Sequence, residues 1–402
     1  MRILLISREY PPETAKGGIG TQAHMKAHGL TSLGHSVVVI SESIHDRRLE
    51  YKDNDVDVVR IPNVSPSFKA RTASAEWLVH SFAVAVEVEE QLRRGRFDLA
   101  EFPEWGAEGF TYLVNRTEWN DVPVVLQIHG PLTLFAHTIG WPDPASEFFR
   151  IGTFMERTCL QLADRVYSSS AFSARSCAEH YGLDLTRVPT IHTGVDSSLF
   201  TPPAHPKSAA PTIVFVGRIN RNKGAFQLME AAARLAADIP GLRVRLIGRA
   251  EPNVLDQLNL MAARAGYPDL VEFTGFVGRE ALPSLLGSAH VFALPSNYEP
   301  GPGLANLEAM ACGLPVVACE SAGSAEVVRH GSTGLLVPPA DPDALTAALR
   351  QILTDSSLRE RLGLNARAYV ETVASSNICF RRLEEFYTEV TREVSVGAAS
   401  GR

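Results

Sequence analysis

AHVFALPSNYEPGPGLANLEAMACGLPVVACE, residues 289–320, reads as strand, glycine-proline loop, helix and strand. The run His290–Leu294 is a short apolar strand of the kind a sheet covered on both faces uses, and Pro295-Ser296-Asn297 closes it. Gly301 and Gly303 allow close backbone approach, and the spacing of Leu304, Leu307, Met310 and Ala311 marks one face of a helix opening near Gly303. Gly313-Leu314-Pro315 stops that helix, and Val316–Ala318 begins the next strand. A helix opening on a glycine loop at the carboxyl end of a parallel strand offers bare N–H groups and the positive end of its dipole, which together make an anion site. Glu299 and Glu308 flank it. Carboxylates repel phosphate, so a binding role for them requires neutral partners, and sugar hydroxyls fit. The local picture is a sugar diphosphate. The plainer reading, with Glu308 on a helix surface and Glu299 in a turn, stands equally beside it.

At 402 residues the chain exceeds the size at which one core stops growing, so two domains are expected. No apolar run approaches the roughly 20 residues of a membrane span, and the opening MRILLISRE is too short and too soon charged for a signal peptide. A cytoplasmic protein without a transmembrane segment is expected. The net charge of −7 disfavours bulk nucleic-acid binding, and Arg93, Arg94 and Arg96 read as a solvated helix end. The 5 cysteines are widely spaced without a C-x-x-C pair, which fits reduced thiols rather than a disulfide frame or a zinc site. His24 and His28 stand four apart, but Met25 occupies the place of a metalloprotease glutamate, so they read as surface or packing histidines. Asp53, Asp55 and Asp57 have a spacing that suits a divalent metal on a sugar nucleotide, yet beside strand Val56–Ile61 they read first as a hairpin turn.

The chain opens with strand Ile3–Ser7, a loop, a helix from about Gly20 to Leu33 and strand Val37–Ile40. Gly17-Gly18-Ile19-Gly20 at the helix start is a second anion-approach site. It is no dinucleotide fingerprint, because Arg8 to Lys16 separate it from the strand. The apolar pattern from Ala73 to Arg93 is a core-packed helix before it is a membrane face. Strands Asp98–Phe102 and Val122–Ile128 run into Pro103–Glu108 and His129-Gly130-Pro131, on the side where open α/β sheets place ligands. There Trp105 offers a flat face to a sugar ring, Glu104 and Glu108 offer acceptors to its hydroxyls, and His129 offers a donor, although a structural histidine stands level with that reading. Helices around Ser146–Leu162 and Ala171–His180 and strands Arg165–Ser168 and Val188–Ile191 complete the first domain, and TPPAHPKSAAP reads as a connector.

From Thr212 the alternation restarts. Strand Ile213–Val216 ends in Gly217-Arg218 and leads to Lys223-Gly224, where two cations suit a diphosphate. Gly248-Arg249 and Gly275-Phe276-Val277 offer backbone edges to a nucleobase, and three helical patterns end the chain.

Taken together, these residues resemble a retaining GT-B glycosyltransferase of glycosyltransferase family 4. The resemblance runs over nearly the whole chain: the Gly17-Gly18 loop, Gly34-His35, His129, Thr193-Gly194-Val195-Asp196, Gly217-Arg218 with Lys223-Gly224, Pro295-Ser296, Glu299 through Gly313, and Gly334 with the Leu-Val-Pro after it. It implies an α/β fold of two Rossmann-like β/α/β domains facing an interdomain cleft. Residues 1–195 would form an acceptor-binding domain, 196–211 a hinge, 212–375 a donor-binding domain, and 376–402 a helix crossing back to the first domain with a frayed tail. By the same resemblance Arg218 and Lys223 are the diphosphate clamp, and Gly17 and Gly18 approach from the opposite wall. Glu308 holds the ribose, Glu299 the donor sugar, and the amides from Gly301 through Gly303 and Leu304 the distal phosphate. Arg249 and Val277 lie at the base, and His129 lies near the reacting carbon. One departure stands out: 8 residues separate Glu299 from Glu308, one more than the family pattern, and the Pro300-Gly301-Pro302 turn absorbs the extra one.

The implied activity is transfer of a hexosyl unit from a nucleoside diphosphate sugar, UDP by family frequency, to an acceptor hydroxyl with retention at the anomeric carbon. Fixed cations and helix amides would stabilise the departing diphosphate, so no metal and no cofactor beyond the co-substrate is expected. The acceptor is a carbohydrate or small molecule, and peripheral membrane contact stays open. Two rivals are a GT-B nucleotide-sugar epimerase, which needs carboxylates placed as acid and base, and a catalytically silent sugar-nucleotide binder.

Overall fold

The computed structural model describes residues 1–14, 18–62, 72–117, 122–202, 204–321 and 323–399. The chain divides into two compact units, Met1–Thr193 with Cys379–Arg402, and Gly194–Ile378. The first contains β1 (Arg2–Ile6), α1 (Gly18–Ser32), β2 (Ser36–Glu42), β3 (Leu49–Asp53), β4 (Val56–Ile61), α2 (Ala73–Arg94), β5 (Leu99–Pro103), α3 (Phe110–Asn115), β6 (Val124–Ile128), α4 (Leu132–Ile139), α5 (Glu147–Leu162), β7 (Arg165–Ser168) and α6 (Ala171–Tyr181). The second contains β8 (Thr212–Val216), α7 (Ala225–Ala236), β9 (Arg243–Ile247), α8 (Val254–Arg264), β10 (Val271–Gly275), α9 (Leu282–Gly287), β11 (Val291–Leu294), α10 (Leu304–Ala311), β12 (Val316–Cys319), β13 (Gly334–Val337), α11 (Pro342–Thr354) and α12 (Ser356–Tyr369). A last helix, α13 (Ser376–Ala399), passes from the second unit into the first at Cys379.

The first sheet runs β3-β4-β2-β1-β5-β6-β7 and the second β10-β9-β8-β11-β12-β13. All pairs are parallel except β3 with β4. Apart from the antiparallel edge strand β3, each sheet therefore has the doubly wound order 3-2-1-4-5-6. Both faces are covered, which is why the strands read as apolar runs: along β1, Leu4 and Ile6 enter one core while Ile3 and Leu5 enter the other.

Four local departures have physical causes. The expected strand Val188–Ile191 is only a single bridge between Ser168 and Thr190, because Pro189 has no N–H to continue a ladder. α4 (Leu132–Ile139) went unread because it is only two turns long and opens after Pro131 with no side-chain cap to announce it; Gly140 ends it in the left-handed conformation. α1 starts at Gly18 rather than Gly20. Residues 196–211, read as a hinge, lie within the second unit: Phe200 is fully buried in its core and Lys207 Nζ donates to the Ala289 carbonyl at 2.7 Å.

From Cys379 onward, α13 is an integral part of the first unit. Leu383, Phe386, Tyr387 and Val390 join Ile3, Leu5, Val37 and Val39 in one core. The Tyr387 hydroxyl donates to Glu101, which also accepts from Tyr167 at 3.1 Å and pairs with Lys26. Burial lowers the Lys26 pKa and Glu101 opposes that, so a buried charge is kept with its counter-ion. Among the described residues no helix is long and apolar enough to cross a membrane.

Candidate functional site

In each sheet the strand order reverses between the first strand and its fourth, and the loops leaving those two strands at their carboxyl ends are where such sheets bind ligands. In the second unit these loops follow β8 and β11. Gly224 has φ 81°, and a Cβ there would overlap the Pro295 carbonyl, so only glycine lets the two loops meet. They are joined by Asn297 N and Ser296 Oγ, which both donate to the Asn222 carbonyl, at 3.1 and 3.2 Å.

Two expected site residues are in direct contact here: Lys223 Nζ lies 2.6 Å from Glu299 Oε2. The Lys223 amide donates to Asn220 Oδ1 at 2.9 Å, which fixes the backbone below the ammonium group. Gly303, with φ 73°, heads α10 and no side chain caps that helix; the Asn306 amide turns back to the Gly303 carbonyl at 3.0 Å, and the Leu304 and Ala305 amides before it are left to a ligand or water. Behind them Asn306 is fully buried; its Nδ2 donates to the Pro302 carbonyl at 2.9 Å, which ties the loop carrying Gly301 to the helix. The Glu299 carbonyl accepts from Gly323 N at 2.8 Å, which holds the acidic residue from a second side.

Glu308 is buried, with 6% of its surface exposed, and burial pushes its carboxyl pKa up while Arg279 opposes the shift. Arg279 Nη1 lies 3.3 Å from Glu308 Oε1 and its guanidinium lies 5.2 Å from the Phe200 ring centre. This arginine escaped the sequence reading. The signal was present as a third glycine-arginine pair: Gly217-Arg218, Gly248-Arg249 and Gly278-Arg279 follow three successive strands of one sheet. Arg218 is exposed and makes no ion pair among the described residues, Arg249 is exposed and lies 5.1 Å from the Phe276 ring centre, and Val277 is half-buried against the core. A paired lysine and bare helix amides thus border Glu299, a paired arginine borders Glu308, and a further arginine stands exposed at the end of β8. Such a set can neutralise a diphosphate and accept hydrogen bonds from polyol hydroxyls.

The first unit uses the same positions differently. Glu104, at the end of β5, is fully buried and its carboxylate accepts from His129 N at 2.6 Å and Gly130 N at 2.5 Å. The expectation that Glu104 faces an acceptor is corrected: it braces the loop after β6. Glu108 is likewise buried, accepting from Arg8 N at 2.9 Å with its other oxygen 3.2 Å from His80 Nε2, so it too holds structure rather than a ligand. Trp105 is half-buried in an aromatic cluster, 4.8 Å from Phe135 and 5.7 Å from Trp77, and its ring packs rather than standing free.

Burial pushes the Glu104 carboxyl up to about 7, against the pull of the two amides. The half-buried His129 is held down to about 3 by burial and by the nearby Lys26 charge, so its imidazole is neutral at pH 7, and its ring has no hydrogen-bond partner among the described residues. Gly18 is exposed at the head of α1, and Gly17 lies outside the described residues.

Sequence comparison matches residues 201–369 to the family described as Glycosyl transferases group 1 and residues 16–199 to Glycosyltransferase Family 4. The chain is 34% identical over 308 residues to a D-inositol 3-phosphate glycosyltransferase of Geodermatophilus obscurus, covering 72% of this chain and 66% of that one. It is 30% identical to the enzyme of the same name from Thermobispora bispora, covering 78% and 77%. A glycogen synthase of Mycobacterium tuberculosis is 28% identical, covering 91% and 89%. Among solved structures, a sucrose-phosphate synthase from Thermosynechococcus elongatus superposes with a TM-score of 0.80 at 22% identity, covering 98% and 99%. Anabaena HepE in complex with UDP and glucose superposes with a TM-score of 0.70 at 19% identity, covering 97% and 100%. The likeness to these structures gives the fold, GT-B.

Proposed function

The chain belongs to the group 1 glycosyltransferases and is a glycosyltransferase, and from that premise we propose that it transfers a hexosyl unit from a UDP-sugar to an acceptor hydroxyl with retention at the anomeric carbon. The observation that carries this reading is the contact of Lys223 with Glu299 beside the uncapped start of α10. One donor molecule presents both chemistries those groups need, a diphosphate for the ammonium and amides and a sugar hydroxyl for the carboxylate.

In this reading Lys223, Arg218 and the amides from Gly303 and Leu304 stabilise the charge that develops on the leaving diphosphate. Glu308, held by Arg279, accepts from the ribose hydroxyls, and Arg249 and Val277 border the base. The acceptor hydroxyl attacks on the face from which the diphosphate departs, and a phosphate oxygen takes its proton. Because fixed cations meet the diphosphate, the transfer proceeds without a metal. All five cysteines are free and buried, which suits a reducing, cytoplasmic setting. UDP complexes of a GT-B neighbour support the choice of base.

The test is product analysis with UDP-sugars and an acceptor panel by mass spectrometry, with anomeric configuration read by NMR. A glycosylated acceptor retaining the donor configuration is expected. An inverted product, or isomerisation of the donor without any acceptor, would overturn the proposal.

A further inference from the structure

Two motifs that read separately as unremarkable come together in the first unit. His24 and His28, one turn apart on α1, aim their Nε2 atoms at Asp53, the last residue of β3. His28 Nε2 lies 3.0 Å and His24 Nε2 3.4 Å from Asp53 Oδ2, and the donor atoms of all three residues lie within 4.8 Å of one another. Among the described residues this is the one group of three such side chains placed to share an ion.

From this geometry we propose that His24, His28 and Asp53 bind a divalent transition-metal ion of the zinc class, fastening α1 to the β3–β4 hairpin. With metal–ligand bonds of about 2.0–2.1 Å, the ligands of a tetrahedral ion stand about 3.3 Å apart, and both histidine–carboxylate separations match that edge. Two imidazoles and one carboxylate select zinc, cobalt, nickel or copper. Magnesium and calcium, which take oxygen ligands, are excluded. All three side chains are half-buried, so the ion has an entry path and keeps a coordination position for water.

A second shell is in place. The Tyr10 hydroxyl donates to Asp53 Oδ2 at 2.9 Å and orients the carboxylate. Tyr10 is itself fixed, since its amide donates to Thr14 Oγ1 at 2.9 Å and its carbonyl accepts from the fully buried Arg60 at 2.9 Å. The turn that follows Asp53 is tight, with Asn54 in the left-handed region at φ 53°. An ion here would join the segment after β1, the middle of α1 and an edge hairpin. None of these residues belongs to the transfer chemistry proposed above, so the site stands or falls independently of it.

The experiment is titration of the full-length, chelator-stripped protein with Zn2+ by calorimetry, with Co2+ absorption as a second readout. One Zn2+ per chain and a tetrahedral Co2+ spectrum are expected. His28→Ala and His24→Gln should each weaken Zn2+ binding at least tenfold, and Tyr10→Phe about tenfold, the range for loss of an outer-shell partner. A millimolar excess of Mg2+ should leave the titration unchanged. Melting temperatures in EDTA verify that each variant folds, and Zn2+ should raise the melting temperature of the parent more than that of His28→Ala. Equal Zn2+ affinity in the parent and in folded His28→Ala and His24→Gln would overturn the proposal, as would no Zn2+ binding by the parent.

Discussion

The two sheets share one strand order, yet the loops at their points of reversal hold charge in opposite ways. In the second unit Lys223 meets Glu299 at the edge of an uncapped helix, and Arg218 is exposed. In the first unit Glu104 and Glu108 occupy the corresponding loop, and both are buried against backbone amides and a histidine. Topology therefore nominates a position for ligands without saying whether its charged residues face one. What decides is whether the backbone around them satisfies them. A carboxylate already accepting two amide hydrogens has become part of the scaffold, whereas a helix start with no side-chain cap still has donors to give.

Substitutions on the two sides sharpen this contrast. The largest expected effect is on catalysis: Lys223→Ala should lower kcat/KM for the donor by at least 10²-fold, about 2.7 kcal/mol, while leaving the melting temperature near that of the parent. Glu104→Ala should do the reverse in kind, costing about 2–3 kcal/mol of stability by leaving the His129 and Gly130 amides unpaired, as read by urea unfolding. Should Glu104→Ala unfold like the parent, its role as a brace is wrong. Glu308→Gln should raise the donor KM about tenfold, near 1.4 kcal/mol, with kcat little changed, since ribose contacts persist from ground state to transition state.

The smallest effect is a pH dependence, because two groups oppose each other. Glu104 keeps its proton to about pH 7 when folded against 4.5 for the free side chain, so the folded chain binds more protons in that window and stability falls as pH rises through it. His129, at about 3 when folded against 6.5, makes stability rise with pH over its own window. The two limbs overlap and partly cancel between roughly pH 4.5 and 6.5. Glu156 adds to the falling limb, since burial first and Glu104 second push its carboxyl well up. Glu104→Gln should remove one of the two falling contributions, so that stability falls less with rising pH over this range than in the parent; an unchanged profile from urea midpoints would contradict the assignment.

The parallel strands were legible because both faces are buried and the chain records this as short apolar runs ending in glycine or proline. The α10 site was legible for a related reason: Gly303, Glu299 and Lys223 stand in loops whose place at strand ends follows from those runs. What escaped was whatever depends on a neighbour distant in sequence. Glu104 looked like a ligand group because nothing local shows that the His129 and Gly130 amides close over it. Arg279 was passed over because its partner Glu308 lies on another element. The same holds for Asp53, read as a turn residue until α1 brought two histidines to it.

The claim that the second unit's reversal loops hold the nucleoside diphosphate is tested most directly by hydrogen exchange on the full chain with and without UDP. Slowed exchange is predicted for the amides of residues 217–224 and 301–306, with residues 103–109 unchanged. Equal exchange in those two segments at saturating UDP, with protection arising elsewhere, would contradict it.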